Sequence, residues 1–416
     1  MGKKFGMLYF LNKSVIKDYT LNIFSFSCLF VLFLFSYQYK HSLSFFKEYD
    51  PTLNLGVVVF IHLIYFVVCN RQNIIFSKNI LVFSVFALWI VASYSWSEHS
   101  TYSFAKCVCF AFYAFPAFLT AALVVSVCSR RLSDFIVSFL AFYIMIFIIT
   151  LISYFQNPSK LPTIFDTNYL VTGQTLGLGT VILGAKIFHK STLTSKSILL
   201  IACLIIISLF LMLHLGGRGP LLSTLIVLGV LFMVHFKSSP KILFLGCVLS
   251  VIGIFMGFGL VKYFGHNHLP LSLQRIFSSD GAESLALRLE YYQSAWNCLQ
   301  TNMIRGLGIG GWPAYHGLGD VEWHPHNMFL EIAAETGLIG IILFMCFLKL
   351  LIQKTQLLTK HIEPYSTILL SGTFFCFLNA LKSGDINDNI LFFAFAGLTF
   401  GLRQKGAQTN CTPRNS

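Results

Sequence analysis

Apolar runs of roughly 17–25 residues recur along this chain, and a run of that length crosses a bilayer as a helix. They fall at about 20–38, 53–70, 79–96, 104–127, 133–155, 168–188, 197–215, 220–236, 241–263, 327–352, 365–382 and 389–403. A bilayer core offers no water to backbone groups, so consecutive spans of this kind have to be helices. Composition agrees: 56% of residues are hydrophobic and 11% charged, where a soluble domain carries about 25% charged residues. The expected fold class is an all-α integral membrane protein of about twelve transmembrane helices. Residues 1–416 are read as a single polytopic membrane domain, with no internal repeat and no soluble catalytic domain appended at either end.

The formal net charge of +13 does not point to nucleic acid. No basic cluster interleaved with aromatic residues appears, and the basic residues sit in short connecting segments. Placing the N-terminus inside puts nineteen of the 29 lysines and arginines on the inner side and nine on the outer, with Lys106 left at the outer edge of the fourth run. That asymmetry follows the positive-inside rule. Both termini are therefore expected inside, and residues 264–326 outside, which in a bacterium is the periplasm. The basic N-terminus is not followed by a small-residue cleavage site, so the first run is read as a retained span. Of the 11 cysteines, Cys298 is alone in the long polar segment, which precludes a disulfide within it. No CxxC metal pattern occurs, and Cys107 and Cys109 are read as packing residues.

The segment 264–326 is the largest predicted extramembrane part. A helix is expected from 282 to 301, with Asp280 and Glu283 resembling a capping box. Leu285, Leu289, Tyr292, Trp296 and Leu299 recur at helical spacing as an apolar stripe, suited to packing on the membrane domain or lying in the interface. Gly306-Leu307-Gly308-Ile309-Gly310-Gly311 formally matches GxGxxG, but the strand and the βαβ context of a dinucleotide fold are missing. These glycines are read as shaping a loop that returns to the membrane.

Trp323-His324-Pro325-His326-Asn327 stands where that segment meets a new apolar run, and Glu331 and Glu335 follow within the run. Ionisable groups inside a span are costly and mark functional sites. Asn327 is a good N-cap, and it shares one helix face with Glu331 and Glu335 at i, i+4 and i+8. This stripe suggests an imidazole oriented by a carboxylate. The alternative is an interfacial histidine beside a structural glutamate paired to an arginine. His324 and His326 flank a proline and no HExxH arrangement exists, so no metal is expected.

Two arginines and one outer turn complete the candidates. Gly216-Gly217-Arg218-Gly219-Pro220 sets Arg218 at a helix start, where free N–H groups favour an anion and the guanidinium adds a bidentate fork. A tight turn with a snorkelling arginine is the plainer reading. Arg288 falls in the predicted outer helix near Glu290, where it could simply be solvated or salt-bridged. Asp385, Asp388 and Asn389 form the last outer turn, either holding polar ligands or merely solvated.

Taken together, Gly216-Gly217-Arg218-Gly219-Pro220 before a span, an arginine in a large outer loop, and His326-Asn327 followed by nine residues and Gly337-Leu338-Ile339-Gly340 resemble the O-antigen ligase and polymerase superfamily. The resemblance covers nearly the whole chain and implies a glycosyltransferase type C-like fold with one large periplasmic loop. It implies glycan transfer at the periplasmic face of the bacterial inner membrane, from an undecaprenyl-diphosphate-linked donor. For a ligase the acceptor is a sugar hydroxyl of the lipid A core. Residue by residue, it assigns catalysis to His326, Arg218 and Arg288. The same two arginines, with His324, Asn327, Glu331 and Asp385, are the candidate substrate contacts. Glu331 falls where ligases can carry a glutamate after the HN pair. The chemistry agrees with this implication, since two arginines neutralise developing phosphate charge without a metal. Imidazole suits removal of the acceptor proton, and the diphosphate bond supplies the energy, so no cofactor is expected. A repeat-unit polymerase would use the same donor with a growing chain as acceptor. A protein O-oligosaccharyltransferase would resemble longer chains. A transporter or lipid-binding protein would show repeat symmetry or helices broken at the bilayer midplane.

Overall fold

The computed structural model of the protein describes residues 25–40, 50–70, 77–156, 168–188, 193–236, 270–272, 274, 279–360, 364–382 and 384–402. No strand occurs among the described residues. In chain order the helices are α1 (Phe26–Leu34), α2 (Pro51–Cys69), α3 (Lys78–Ala92, continued by a 3-10 turn Ser93–Trp96), α4 (Thr101–Val125) and α5 (Ser129–Gln156). After them come α6 (Tyr169–Phe188), α7 (Ser195–Leu215), α8 (Arg218–Phe236), α9 (Ser279–Thr301), the short α10 (Trp312–Tyr315), α11 (Met328–Lys360), α12 (Pro364–Ala380) and α13 (Ile390–Gly401). Among the described residues, eight helices are long and apolar enough to cross a membrane, and two more are shorter and apolar. Each of them falls on one of the expected apolar runs, and α1 occupies part of the first. The run at 241–263 lies outside the described residues.

The chain divides into two compact units, one containing Leu140–Glu283 and the other Asn22–Phe139 with Ser284–Ser416. In the first, α6 packs against α7 and α8. Its small residues allow close approach, as helix packing within lipid requires. A Cβ on Gly179 would collide with the ring of Tyr143, whose hydroxyl shares a 2.7 Å hydrogen bond with Ser208.

The second unit is built on phenylalanine. Phe83 of α3 stacks on Phe118 of α4 at 3.8 Å between ring centroids, and meets Phe347 of α11 at 5.1 Å and Phe393 of α13 at 5.4 Å. The α4 span contains two π-helical stretches, Phe110–Ala114 and Ala121–Val125, on either side of Pro116. π-Bulges of this kind occur often at functional sites.

Helix α11 is broken at Gly337, whose φ is 67° and ψ −164°. A break inside a span frees backbone groups that lipid cannot satisfy. Here the glycine-rich loop satisfies them. Leu307 N–H donates to Ala334 O (3.0 Å) and Gly308 N–H to Glu335 O (2.8 Å), while Leu338 N–H donates to Met303 O (2.8 Å) and Ile339 N–H to Ile304 O (3.3 Å). The indole N–H of Trp89 takes Thr336 O at 3.1 Å. The loop expected to return to the membrane is thus seated against a span, at the level of its tenth residue. Gly308, at φ +88°, fits only without a side chain, because a Cβ would stand 2.6 Å from Ser93 O and Ser97 Cα.

Helix α9 starts at Ser279, three residues earlier than expected, and ends at Thr301. Its apolar face differs from the expected stripe. Leu285, Leu289 and Trp296 are more than half exposed. The buried side is Ala295 and Cys298, packed on Trp312 and Ala334, with Tyr291 partly buried against them. Small residues permit the close approach to α11 that the larger apolar ones would prevent.

Candidate active site

His326 has a left-handed backbone with φ 56°. A non-glycine residue there is uncommon, and such strain persists only where the surroundings impose it. Several contacts do so. Asn327 caps α11, its Oδ1 accepting from Phe329 N–H (3.0 Å) and Leu330 N–H (3.2 Å). On the other side, the Tyr102 hydroxyl donates to Trp323 O at 3.3 Å. The imidazole of His326 lies among rings: His324 at 4.4 Å, Trp323 at 5.8 Å and Tyr291 at 6.1 Å. Tyr291 is itself wedged by Trp312 at 5.6 Å and His316 at 5.1 Å.

Arg288 of α9 reaches this cluster electrostatically. Burial, with the Arg288 charge added to it, pushes the His326 imidazole down to about 4. His324 is also pushed down to about 4, chiefly by burial, with Asp385 opposing and His326 and Arg288 adding to the depression. Both histidines are therefore neutral at pH 7. His326 Nδ1, His324 Nε2 and Glu331 Oε2 are buried without a hydrogen-bond partner among the described residues.

Glu331 does not orient the imidazole through that nitrogen. Its partner is Lys106, an α4 side chain that is 1% exposed. Lys106 Nζ lies 2.6 Å from Glu331 Oε1, and 2.8 and 2.9 Å from the two carboxylate oxygens of Glu335. Burying a charge requires such pairing. The turn between α12 and α13 closes the network. Ile386 N–H donates to Glu331 Oε1 (3.3 Å), Asn387 Nδ2 donates to Lys106 O (3.1 Å), and the Tyr102 hydroxyl reaches Asp385 Oδ2 (3.4 Å). Asp385 Oδ1 accepts from Asn387 and Asp388 N–H, both at 2.8 Å. Burial, then the neighbouring Asp385 charge, pushes the Asp388 carboxyl up to about 7.

Of the residues singled out in the sequence, His324, His326, Asn327, Glu331 and Asp385 meet at the head of α11 in the second unit; Arg288 belongs to the same unit and acts on the two histidines through its charge. Arg218 belongs to the first unit. It is half-buried and opens α8, after Gly216 ends α7 at φ 76°, with Pro220 as the third residue of the helix. That start sets its guanidinium at the positive end of the α8 dipole. Among the participants not singled out are Lys106 and Tyr102. Lys106 carried a readable signal, a lone cation in an apolar run. Tyr102 carried none. Among the described residues no group of three or more His, Cys, Asp or Glu side chains is arranged to hold a metal ion.

Long apolar helices with a buried ionic cluster at the head of one span define a multi-pass α-helical membrane protein. Residues 203–345 match the family model described as O-Antigen ligase, and this supports the O-antigen ligase superfamily and a ligase- or polymerase-type function. The matched stretch contains Arg218, Arg288, His326 and Gly337, but neither Lys106 nor Asp385. No curated protein matches the chain.

Proposed function

We propose that the protein is a metal-independent glycosyltransferase. It moves a glycan from undecaprenyl diphosphate to a sugar hydroxyl of the lipid A core, at the periplasmic face of the bacterial inner membrane. The observation that carries this reading is His326, held at φ 56° among the rings of His324, Trp323 and Tyr291 in the unit that also contains Arg288. A neutral imidazole accepts a proton, and an arginine fork binds phosphate. In the reaction the acceptor oxygen bonds to the anomeric carbon while the bond to the diphosphate oxygen breaks. The acceptor proton passes to His326. The electron pair leaves with the lipid diphosphate, whose charge Arg288 neutralises. General-base assistance of this kind contributes roughly 10²–10⁴-fold.

The lipopolysaccharide profile of a deletion strain tests the reading. Loss of all long chains from the core, with lipid-linked polymer accumulating, is expected. Core bearing one repeat unit would instead make the protein the polymerase. Purified protein should also keep its transfer rate in a strong chelator; loss restored by a divalent ion would defeat the metal-independent part.

A further inference from the structure

Trp323 has no place in the proton transfer or in phosphate binding, yet its ring stands beside the imidazole that performs the first. Its centroid lies 5.8 Å from that of His326 at 80°, and 6.4 Å from that of Tyr291 at 82°. It is 40% exposed, whereas Trp312 behind Tyr291 is fully buried. The Trp323 backbone is tied down through the Tyr102 hydroxyl. An indole so held keeps part of its ring accessible in a fixed orientation.

Its neighbours decide what that ring suits. Glu322, next in the chain, is exposed, and Asp320 is anchored by accepting from Thr101 and Tyr102 N–H at 3.0 and 2.9 Å. Two carboxylates repel a diphosphate, and their hydration does not suit an acyl chain. They do suit a ligand with hydroxyl donors around an apolar face. A pyranose ring is such a ligand: its C–H face meets the negative face of an aromatic ring, and its hydroxyls donate to carboxylate.

We infer that Trp323 is the stacking platform for a sugar ring of the acceptor glycan, with the exposed Glu322 receiving its hydroxyls. A sugar on this ring presents a hydroxyl at the adjacent His326. The inference rests on the transferase reading and adds to it where the acceptor ring sits.

The test uses the full-length protein in nanodiscs and two deacylated probes: the core oligosaccharide and a repeat-unit oligosaccharide. Deacylation removes any contribution of the indole to lipid anchoring. Wild-type protein should bind one of them. Trp323→Ala should weaken that binding on the order of tenfold, the increment of a stacked face and its covered area, while Trp323→Phe should restore most of it. Undecaprenyl diphosphate affinity should stay unchanged in both variants. Equal glycan affinity in wild type and Trp323→Ala overturns the platform, as does equal weakening of the lipid donor. Absence of wild-type binding to either glycan overturns it too. Trp323-dependent binding of the repeat-unit glycan alone keeps the platform but removes the ligase reading. Core binding that ignores Trp323 does the reverse.

Discussion

At the residue scale, the His326 environment makes a pH prediction. Its pKa is about 4, held down by burial and by Arg288, against an ordinary value of about 6.5. On the proposed reading His326 is an unprotonated base across the physiological range, and kcat/KM should fall only as pH drops through about 4. An anionic diphosphate on Arg288 cancels one of the two causes, so donor binding should displace the titration upward. Histidine titration followed by NMR with and without donor checks both points; a donor-free midpoint near 6.5 would contradict them. For stability the sign is the same. A histidine with a folded pKa below its unfolded one binds fewer protons when folded, so stability is full above about 6.5 and declines toward pH 4. Lys106 supports a second prediction. Removing one partner of a buried ionic group costs about 3–5 kcal/mol, because the remaining charge is stranded. Lys106→Met should therefore lower the thermal midpoint sharply, and adding Glu331→Gln and Glu335→Gln should recover much of the loss. If Lys106→Met is as stable as wild type, the two glutamates are not held as charged partners.

At the element scale, the nine residues between Asn327 and Gly337 form one unit, the capped N-terminal segment of α11 with the break after it. Gly337→Ala places a Cβ against Ile304 O in a left-handed conformation. Strain of that type costs about 1–3 kcal/mol, and relief requires the 303–308 loop to detach. Limited proteolysis should then cut that loop in the variant and spare it in wild type. Helix positions were legible in the sequence because bilayer thickness sets their length, and the α11 start was legible because Asn327 caps it. The α9 face was not. Leu285, Leu289 and Trp296 repeat at helical spacing, but the side that α11 accepts is the one whose small residues, Ala295 and Cys298, let the helices approach. The role of Glu331 was equally hidden, since the cation that claims it lies far back in the chain. Spacing reports contacts within a helix and says nothing of contacts between helices.

At the scale of the molecule, both termini are proposed inside and the histidine turn outside, from the distribution of lysine and arginine. A cysteine at the exposed position 322 should react with an impermeant maleimide in intact spheroplasts, against the wild-type background. Reaction only after the inner membrane is opened would invert the topology. The buried cluster would then face the cytoplasm, and the transferase reading would fail with it.

The pairing of Lys106 with Glu335 also has a history within the life of each molecule. The two are separated by 229 positions. At about 5–20 residues per second of synthesis, the lysine waits roughly 10–45 s for its counter-ions. During that interval α4 carries a lone cation at its sixth residue, near enough to the helix end for the side chain to reach toward water. Its charge is paired only when the helix bearing Glu331 and Glu335 arrives, so the ionic cluster of the second unit forms late in synthesis.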